Sequence, residues 1–378
     1  MRIAVVKESQ PGEARVALVP EGVAKLVALG YSVGVEADAG LQADIENEAY
    51  EAAGATVGDV VGDADLVLSV QPLRIDQIRR LRSGTATVSF LPVAAAVDRV
   101  REMHRCEVTA FSLELVPRIS RAQSMDALSS QSLVAGYRSA IVAAGLLRRF
   151  FPLNMTAAGT VKPAQVVVLG AGVAGLQAIA TAKRLGAVVR AYDVRAAAAE
   201  EIRSMGAQAI DLELETLEGA GGYAREMTED RAQRQRDLLA PHIAAADALI
   251  TTAAVPGRTA PVLVTRSMVE QMRPGSVVVD LAAETGGNVE GSMPGRTVRV
   301  GHAAVWGAAN VPSQMPGPAS QLLSTNVVAL VSLMSARDGE GPASFTPDFD
   351  DEVVAGCCVL FNGQIRHEPT RHLLEGSA

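Results

Sequence analysis

The feature that most constrains this chain is a glycine-rich turn between an apolar strand and a helical pattern. Residues 166–169 form a fully apolar run, and Gly-Ala-Gly-Val-Ala-Gly follows at 170–175. A helical repeat of small and apolar residues comes next, and a second apolar run then ends in Asp193. Strand, glycine turn, helix and acidic strand end in this order are typical of the dinucleotide-binding unit of a Rossmann fold.

Each glycine of the turn has its own physical role. Gly170 permits the tight turn, Gly172 lets the backbone approach a pyrophosphate, and Gly175 lets the helix pack close to the strand. The N-terminus of the helix offers N–H groups and a positive dipole end to the phosphates. Asp193 is expected to bind the adenosine ribose and to repel a 2′-phosphate, which favours NAD(H). Arg195 weakens that preference, because a nearby Arg suits a phosphate.

Composition excludes several classes of protein. The chain has 378 residues, 48% hydrophobic and 20% charged, which predicts two globular domains. A net charge of −8 without a Lys- or Arg-rich run argues against nucleic-acid binding. Three Cys without metal-ligand spacing predict no metal site and fit a reducing cytoplasm. The uncharged run 319–336 carries Ser, Thr, Asn and Gln side chains, so it predicts a buried helix and no membrane insertion.

Short apolar runs alternate with helical patterns in two series. The first series predicts strands at 2–6, 32–36, 64–70, 85–91 and 107–111. The second predicts strands at 165–169, 188–193, 209–212, 248–252, 276–280 and 298–300. Strands that alternate with helices indicate parallel sheets with right-handed crossovers.

Two further segments complete the predicted architecture. Residues 122–150 are expected to form a long helical connector, and 352–363 a short hairpin with its turn at Asn362-Gly363. The predicted fold is α/β, with two Rossmann-like parallel-sheet domains joined by long helices. The first domain is discontinuous, 1–125 with 317–378, and the second is the dinucleotide-binding domain, 126–316.

Three polar segments are candidate ligand contacts. Residues 117–132 are dense in hydrogen-bonding side chains and stand between an apolar strand and an apolar helix. They fit either a ligand-binding loop or a helix entry capped by Ser or Asp. The strands at 248–252 and 276–280 run into polar loops, so Asp280 and Glu284 fit either a ligand edge or solvated loop carboxylates.

The segment 118–132 also carries a resemblance. RISRAQSMDALSSQS at 118–132, TAAGTVKPAQVVVLGAGVAGLQAIATAKRLGA at 156–187 and ANVPS at 309–313 closely resemble one family. It is the NAD(H)-binding component, domain I, of proton-translocating nicotinamide nucleotide transhydrogenase. The likeness spans nearly the whole chain, while the fold and the opening with Arg15 are shared with alanine dehydrogenase.

The resemblance implies a set of site residues at the matching positions. The loop that would hold the nicotinamide contains the implied catalytic residues Arg118, Gln123, Asp126 and Ser129, together with Ile119 and Ser120. Gln123 would contact the carboxamide. The remaining implied nucleotide contacts are Gly170, Gly172, Val173, Gly175, Asp193, Val194, Arg195, Gly222 and Tyr223 of a closing loop, Gln235 and Ala254. Ala254 stands where the family has a larger apolar residue.

The resemblance further implies an activity and an assembly. Hydride would pass directly from NADH on this chain to NADP⁺ on a partner subunit, coupled to proton translocation by a membrane subunit. The chain would form a homodimer and join NADP(H)-binding and transmembrane subunits. It would be cytoplasmic, peripheral at the inner face of the cell membrane through those partners.

Two alternatives differ in the chemistry that they need. An alanine dehydrogenase needs a Lys after the third strand, where this chain has Gln71. It also needs a His near residue 94, where this chain has Pro92. Reductive amination requires such an acid–base group, whereas hydride transfer between nicotinamides moves no proton at carbon. The second alternative is a nucleotide-binding regulatory module without catalysis, against which the intact 118–132 segment argues.

Overall fold

The structure, a computed structural model, describes residues 1–214, 228–254, 258–337 and 341–375. The chain divides into two compact units, Met1–Gln131 with Pro312–Ala378, and Ser132–Val311. The first unit is therefore built from both ends of the chain, and each unit contains a large sheet of its own.

The first stretch of the chain alternates strands and helices. Its strands are β1 (Arg2–Val5), β2 (Ser32–Val35), β3 (Thr56–Val57), β4 (Leu66–Leu68), β5 (Ala86–Ser89) and β6 (Thr109–Ser112). Its helices are α1 (Pro20–Ala28), α2 (Asn47–Ala52), α3 (Ile75–Ile78), α4 (Val97–Arg105) and α5 (Ala127–Leu146). The predicted strands are confirmed within a few residues, and β3 is an addition too short to give a periodic signal.

The middle of the chain contains the fingerprint. Its strands are β7 (Asn154–Thr156), β8 (Gly159–Val161), β9 (Gln165–Leu169), β10 (Val188–Tyr192), β11 (Gln208–Ala209), β12 (Ala248–Thr251), β13 (Val277–Asp280), β14 (Thr297–Val300) and β15 (Ala303–Gly307). Its further helices are α6 (Val173–Arg184), α7 (Ala198–Ser204), α8 (Glu229–Ala244) and α9 (Arg266–Glu270). Strand β15 is missing from the prediction because its short apolar run follows β14 after only two residues, so the two strands give no separate signals.

The C-terminal stretch returns to the first unit. It contains α10 (Pro316–Leu333), β16 (Ser335–Ala336), β17 (Ser344–Phe345), α11 (Glu352–Cys357), β18 (Cys358–Phe361), β19 (Gln364–Ile365) and α12 (Glu368–Glu375). The turn at Asn362-Gly363 is confirmed, but the predicted hairpin is shorter than 352–363. Its first residues are helical because Asp351 Oδ1 caps α11 by accepting from Val353 N at 2.7 Å.

The expected helical connector also needs correction. Residues Ser120–Met125 form a 3₁₀ turn, and the α-helix begins at Ala127 and ends at Leu146. The helix begins at this point because Asp126 accepts a hydrogen bond from Ser129 N at 2.9 Å and so caps it. The helical pattern of the sequence does not distinguish a 3₁₀ turn from the first turn of an α-helix.

The sheet of the first unit has the order β19-β18-β6-β5-β4-β1-β2-β3. Strands β1 to β6 are parallel, as predicted, and β18 adds an antiparallel edge beside β6. The strand order reverses between β1 and β4, since β2 and β3 lie on one side and β5 and β6 on the other. The crevice outside the carboxyl ends of two such strands is where open α/β sheets bind ligands.

The sheet of the second unit has the order β11-β10-β9-β12-β13-β15-β14. Its strands are parallel except β14, which pairs antiparallel with β15. The order reverses between β9 and β12, and the glycine turn follows β9 at that point. The predicted α/β class with parallel sheets is confirmed, and each unit places a reversal point at one edge of its sheet.

Helix α10 explains how an uncharged, Ser-rich run is accommodated inside the first unit. The apolar side chains of its inner face, among them Leu323 and Val327, are fully buried, whereas Leu322 is exposed. Ser320 Oγ accepts from Val16 N at 2.9 Å, and Ser324 Oγ accepts from Val19 N at 3.2 Å. The serines therefore satisfy backbone donors of the loop before α1, as burial requires. Within the described ranges, no helix is long and apolar enough to cross a membrane.

Candidate nucleotide-binding site

The glycine turn after β9 has the geometry that the fingerprint requires. Gly170 has a φ of +97°, in the region that favours glycine. A Cβ at Gly175 would collide with the carbonyl oxygen of Gly170, so the helix α6 can approach the turn only with glycine there. A Cβ at Gly172 would meet no atom of the described residues within 4 Å, and Val173 begins the helix with its side chain exposed. The turn is thus tight on the inside and open on the outside.

Asp193 connects the end of β10 to this turn. Its Oδ2 accepts from Ala171 N at 2.7 Å, and its Oδ1 accepts from Arg195 N at 2.9 Å and from Arg195 Nε at 3.0 Å. Arg195 also donates to the carbonyl oxygen of Ala171 at 3.2 Å. Val194, between them, is half-buried. The carboxylate predicted to read the ribose is therefore positioned by the turn itself and shares its charge with Arg195.

A buried hydrogen-bond network joins the ends of strands β12 and β13, and the sequence does not predict it. Asp280 is fully buried; its Oδ1 accepts from Thr251 Oγ1 at 3.0 Å and from Asn288 N at 3.2 Å. Asn288 in turn accepts from Ala253 N at 2.9 Å and donates to Ala253 O at 2.7 Å. Asp280 is thus neither a ligand contact nor a solvated carboxylate, because its oxygens fix the loops after β12 and β13. Glu284 is exposed and accepts from Asn310 N at 2.9 Å.

Other implied nucleotide contacts have different surroundings. Gln235 is 1% exposed, and its amide oxygen accepts from Tyr192 Oη at 3.1 Å. It therefore supports the residue before Asp193. Ala254 is exposed and directly follows Ala253, which is part of this network. Gly222 and Tyr223 lie outside the described residues.

The polar segment of the first unit is a turn with one anchored and one exposed face. Ala122 and Met125 are buried in the core, and Ser124 O accepts from Asn326 Nδ2 of α10 at 2.8 Å. Gln123 is exposed, and in the described chain no hydrogen bond engages its side-chain amide. Arg118 and Ser120 are also exposed, while Ile119 packs partly against the core. The core and α10 thus fix the backbone of the turn, and the amide of Gln123 is presented outward.

Asp126 and Ser129 form the entry to helix α5. Asp126 Oδ1 accepts from Ser129 N at 2.9 Å, and Oδ2 accepts from Ser129 Oγ at 2.6 Å. Next to them, Ser130 Oγ donates to Asn326 Oδ1 at 2.6 Å. The structure therefore contains the capped helix entry, which holds an exposed polar turn in place, and the ligand-binding interpretation of this turn stays a prediction.

A buried charged cluster lies around Arg15. Its Nε and Nη2 donate to the two carboxylate oxygens of Glu13 at 2.8 and 2.7 Å, and its Nη1 donates to Gln131 at 2.9 Å. Gln71 Nε2 and Ser313 Oγ also donate to Glu13, at 2.8 and 2.9 Å. Burial raises the pKa of Glu13, but the hydrogen bonds from Arg15 more than offset this and bring it to about 2. An amide, Gln71, thus stands beside this cluster where an alanine dehydrogenase needs a Lys.

The residues of the second unit fit a dinucleotide. Within the described ranges, no atom lies close to the open side of Gly172. The first turn of α6 offers its N–H groups there, and the Asp193 carboxylate lies beside the turn. Helix α6 is 12 residues long, enough for an N-terminal dipole end. These groups can hold a pyrophosphate and an adenosine ribose.

Comparison with known proteins agrees with this geometry. Family models described as alanine dehydrogenase/PNT match residues 4–135 (N-terminal domain) and 139–368 (C-terminal domain). An NAD(P) transhydrogenase alpha subunit of Rhodospirillum rubrum is 45% identical over 379 residues, covering 97% of this chain and 98% of that protein. The alanine dehydrogenase of Bacillus subtilis is 32% identical, with 90% and 86% covered.

A solved structure gives the same result. The transhydrogenase from Sinorhizobium meliloti is 42% identical and matches with a TM-score of 0.84, covering 98% of this chain and 100% of that one. The resemblance seen in the sequence is confirmed, and the two transhydrogenase chains are closer in identity than the alanine dehydrogenase. Since the two family models together match most of its length, the chain belongs to the alanine dehydrogenase/PNT family.

Proposed function

We propose that the chain is the NAD(H)-binding component of a proton-translocating transhydrogenase. NADH bound here would pass its hydride directly to NADP⁺ on a partner subunit. The observation that carries this choice within the family is Gln71, whose amide bonds to Glu13 beside Arg15 where an amino-acid dehydrogenase needs a Lys. Pro92 replaces the His that such an enzyme also needs. A site that moves only a hydride needs neither group.

The second unit binds the adenosine half of the cofactor in this proposal. The turn at 170–175 holds the pyrophosphate, and Asp193 accepts from the ribose hydroxyls. Gln235 acts indirectly in this proposal. Its amide oxygen accepts from Tyr192 Oη and so fixes the end of β10, which positions Asp193. NAD(H) is the cofactor of this chain, and NADP(H) belongs to the partner.

The polar turn of the first unit orients the nicotinamide. When bound, the cofactor supplies the hydride chemistry, and this chain supplies position. Gln123 presents an amide that matches the donor and acceptor of a carboxamide. Arg118 and Ser120 lie on the same exposed turn, and Asp126 and Ser129 hold its end in place. Catalysis then rests on bringing two rings to reacting distance, a contribution worth several orders of magnitude in rate.

An exposed apolar hairpin supports the homodimer. Strands β7 and β8 form a two-stranded sheet separate from the main sheet. Met155 on β7 is 76% exposed, and Leu153, Val161 and Phe150 are exposed beside it. A lone hairpin is marginal in water, and a cluster of exposed apolar side chains marks a protein interface. A second copy of the chain is the proposed occupant, while the membrane subunits hold the assembly at the inner face of the cell membrane.

The alternative is an alanine dehydrogenase-like enzyme, which shares the fold and Arg15. The test is an assay of the purified chain with NADH and a partner. Mixed with the NADP-binding component of a transhydrogenase and NADP⁺, the chain should oxidise NADH rapidly. With pyruvate and ammonia it should oxidise NADH negligibly, and robust turnover there would favour the alternative.

A further inference from the structure

A second crevice lies in the first unit, at the carboxyl ends of β1 and β4. A cavity of about 160 Å³ is lined by residues that follow these two strands directly and by residues of α3 and α4. Strands β1 and β4 are the neighbours between which the strand order reverses. The cavity therefore occupies, in the first sheet, the position at which open α/β sheets bind ligands.

Ser69 is a buried polar group in this cavity that lacks a partner. It is the first residue after β4, it is 1% exposed, and it lines the cavity. Among the residues that the structure describes, none forms a hydrogen bond with its Oγ. A buried hydroxyl without a partner destabilises a protein, and rotation of the Ser69 side chain toward the cavity would give it one from a bound ligand.

Arg99 adds an uncompensated positive charge. It lies on α4, is half-buried and lines the same cavity. No carboxylate of the described ranges forms an ion pair with it, in contrast to Arg101 of the same helix, which pairs with Asp98 at 2.9 Å. Lys7 and Arg74 also line the cavity, but they pair with Asp38 at 3.7 Å and with Asp76 at 2.6 Å, so the charge available to a ligand is mainly that of Arg99.

Glu8 is the acidic residue of the lining. Its Oε1 accepts from Val70 N at 2.6 Å, which holds the carboxyl group at the end of β4. Burial, with a smaller contribution from Glu13, raises the pKa of Glu8 to about 8, while Val70 N–H and Arg15 oppose the shift. Glu8 is therefore largely protonated at neutral pH and leaves the charge of Arg99 unbalanced.

We propose that this cavity binds a small oxyanion, a short carboxylate or inorganic phosphate, through the Arg99 guanidinium and the Ser69 hydroxyl. A cavity of about 150 Å³ accommodates a molecule the size of benzene, so a ligand of a few heavy atoms fits. Gln71 lines the cavity and also donates to Glu13, so the cavity adjoins the Arg15 cluster, but neither Arg15 nor Gln123 lines it. The proposal does not rest on the hydride-transfer function.

The test is calorimetric titration of the full chain with propionate and, separately, with inorganic phosphate. Saturating NADH is present so that the glycine turn is occupied. One or both probes should bind saturably with one site per chain, and the probe that binds identifies the source of the oxyanion. Arg99→Gln should weaken binding about tenfold, since a charge-assisted hydrogen bond is lost. Arg101→Gln is the matched control and should bind within about twofold of wild type, because surface charges act weakly at a distance.

Ser69→Ala keeps the proposal testable where Arg99→Gln is poorly folded. Removing a buried hydroxyl without a partner should leave the melting temperature of the free chain unchanged or higher. The oxyanion that raises the melting temperature of wild type by ligation should raise it less in Ser69→Ala, because the lost bond weakens binding about fivefold. Failure of both probes to saturate, or equal weakening by Arg99→Gln and Arg101→Gln, would overturn the proposal.

Discussion

The guanidinium Nε of Arg195 donates to Asp193 Oδ1 at 3.0 Å, and the other oxygen of this carboxylate accepts from Ala171 N. Both side chains are mostly buried, since Asp193 is 10% exposed and Arg195 is 20% exposed. The negative charge that would repel a 2′-phosphate and the positive charge that would attract one thus form a single ion pair. Cofactor choice should depend on the pair, and Asp193 controls whether Arg195 is available.

Cofactor preference is the first prediction. Wild type should bind NADH at least about tenfold more tightly than NADPH, as expected for one charged contact. Asp193→Ser should reduce the difference between the affinities for NADH and NADPH. It removes the repulsion between the carboxylate and the 2′-phosphate and frees Arg195 to bind that phosphate. The double change Asp193→Ser, Arg195→Gln should lose part of the gained NADPH affinity. Fluorescence titration of wild type and the two variants with each nucleotide measures this. A double variant that binds NADPH as tightly as Asp193→Ser would contradict the role of Arg195.

A second prediction separates orientation from binding. Gln123→Ala should slow hydride transfer at least about tenfold while changing NADH affinity by no more than about threefold, because the anchoring contacts lie in the second unit. Ser124→Ala is the matched control in the same turn, since Asn326 bonds to the backbone oxygen of Ser124, not to its side chain. Single-turnover rates and equilibrium titrations give the two quantities. A Gln123→Ala rate within twofold of wild type would remove the assigned role.

The third prediction concerns the helix entry. Asp126→Ala removes the acceptor of Ser129 N and Ser129 Oγ, so it should lower the free energy of unfolding by about 1 kcal/mol. Asp126→Asn keeps an acceptor and should recover part of that loss. Urea unfolding followed by circular dichroism measures both variants. If Asp126→Ala slowed hydride transfer without any loss of stability, Asp126 would act on the substrate and not as a cap.

The fourth prediction is a pH dependence of stability at Glu8. Its pKa is raised from 4.5 to about 8 by burial, so the folded chain holds a proton there that the unfolded chain releases. The stabilisation from this group is complete below pH 4.5 and is lost as pH rises through 8. Glu8→Gln should therefore raise the unfolding free energy by about 4 kcal/mol more at pH 8.5 than at pH 5, since a difference of one pKa unit between the folded and unfolded chain corresponds to about 1.4 kcal/mol.

The control for this prediction is Glu21→Gln, on the exposed side of α1. It should give the wild-type pH dependence. Melting temperatures across the pH range test the difference. A Glu8→Gln variant that lost stability with pH as steeply as wild type would show that another group titrates.

Much of the nucleotide site follows from the sequence because its constraints are local. Gly170 needs a positive φ and Gly175 must lack a Cβ, and both requirements are met within one strand–turn–helix unit. Asp193 is at the predicted strand end for the same reason. Its bond to Arg195 lies beyond the pattern, since a sequence shows that an Arg is near but not that the two side chains pair.

The features that the sequence does not predict depend on contacts between distant residues. Asp280 has the same appearance in sequence as a surface loop carboxylate, yet it is buried by Thr251 and Asn288, which come from other segments. Gln235 is implied as a nucleotide contact and is found behind β10, bonded to Tyr192. Likewise nothing in the sequence distinguishes Ser69 from other serines, whereas in the structure its Oγ is buried and has no hydrogen-bond partner among the described residues.

Direct transfer of a labelled hydride tests the central claim most sharply. The chain, loaded with NADH deuterated at the transferred position, is mixed with the NADP-binding component of a transhydrogenase and NADP⁺ in ordinary water. We expect rapid formation of NADPH that carries the deuterium, with no hydrogen from solvent at that carbon. NADPH that contains solvent hydrogen, or no NADPH beside efficient reduction of a keto acid, would contradict it.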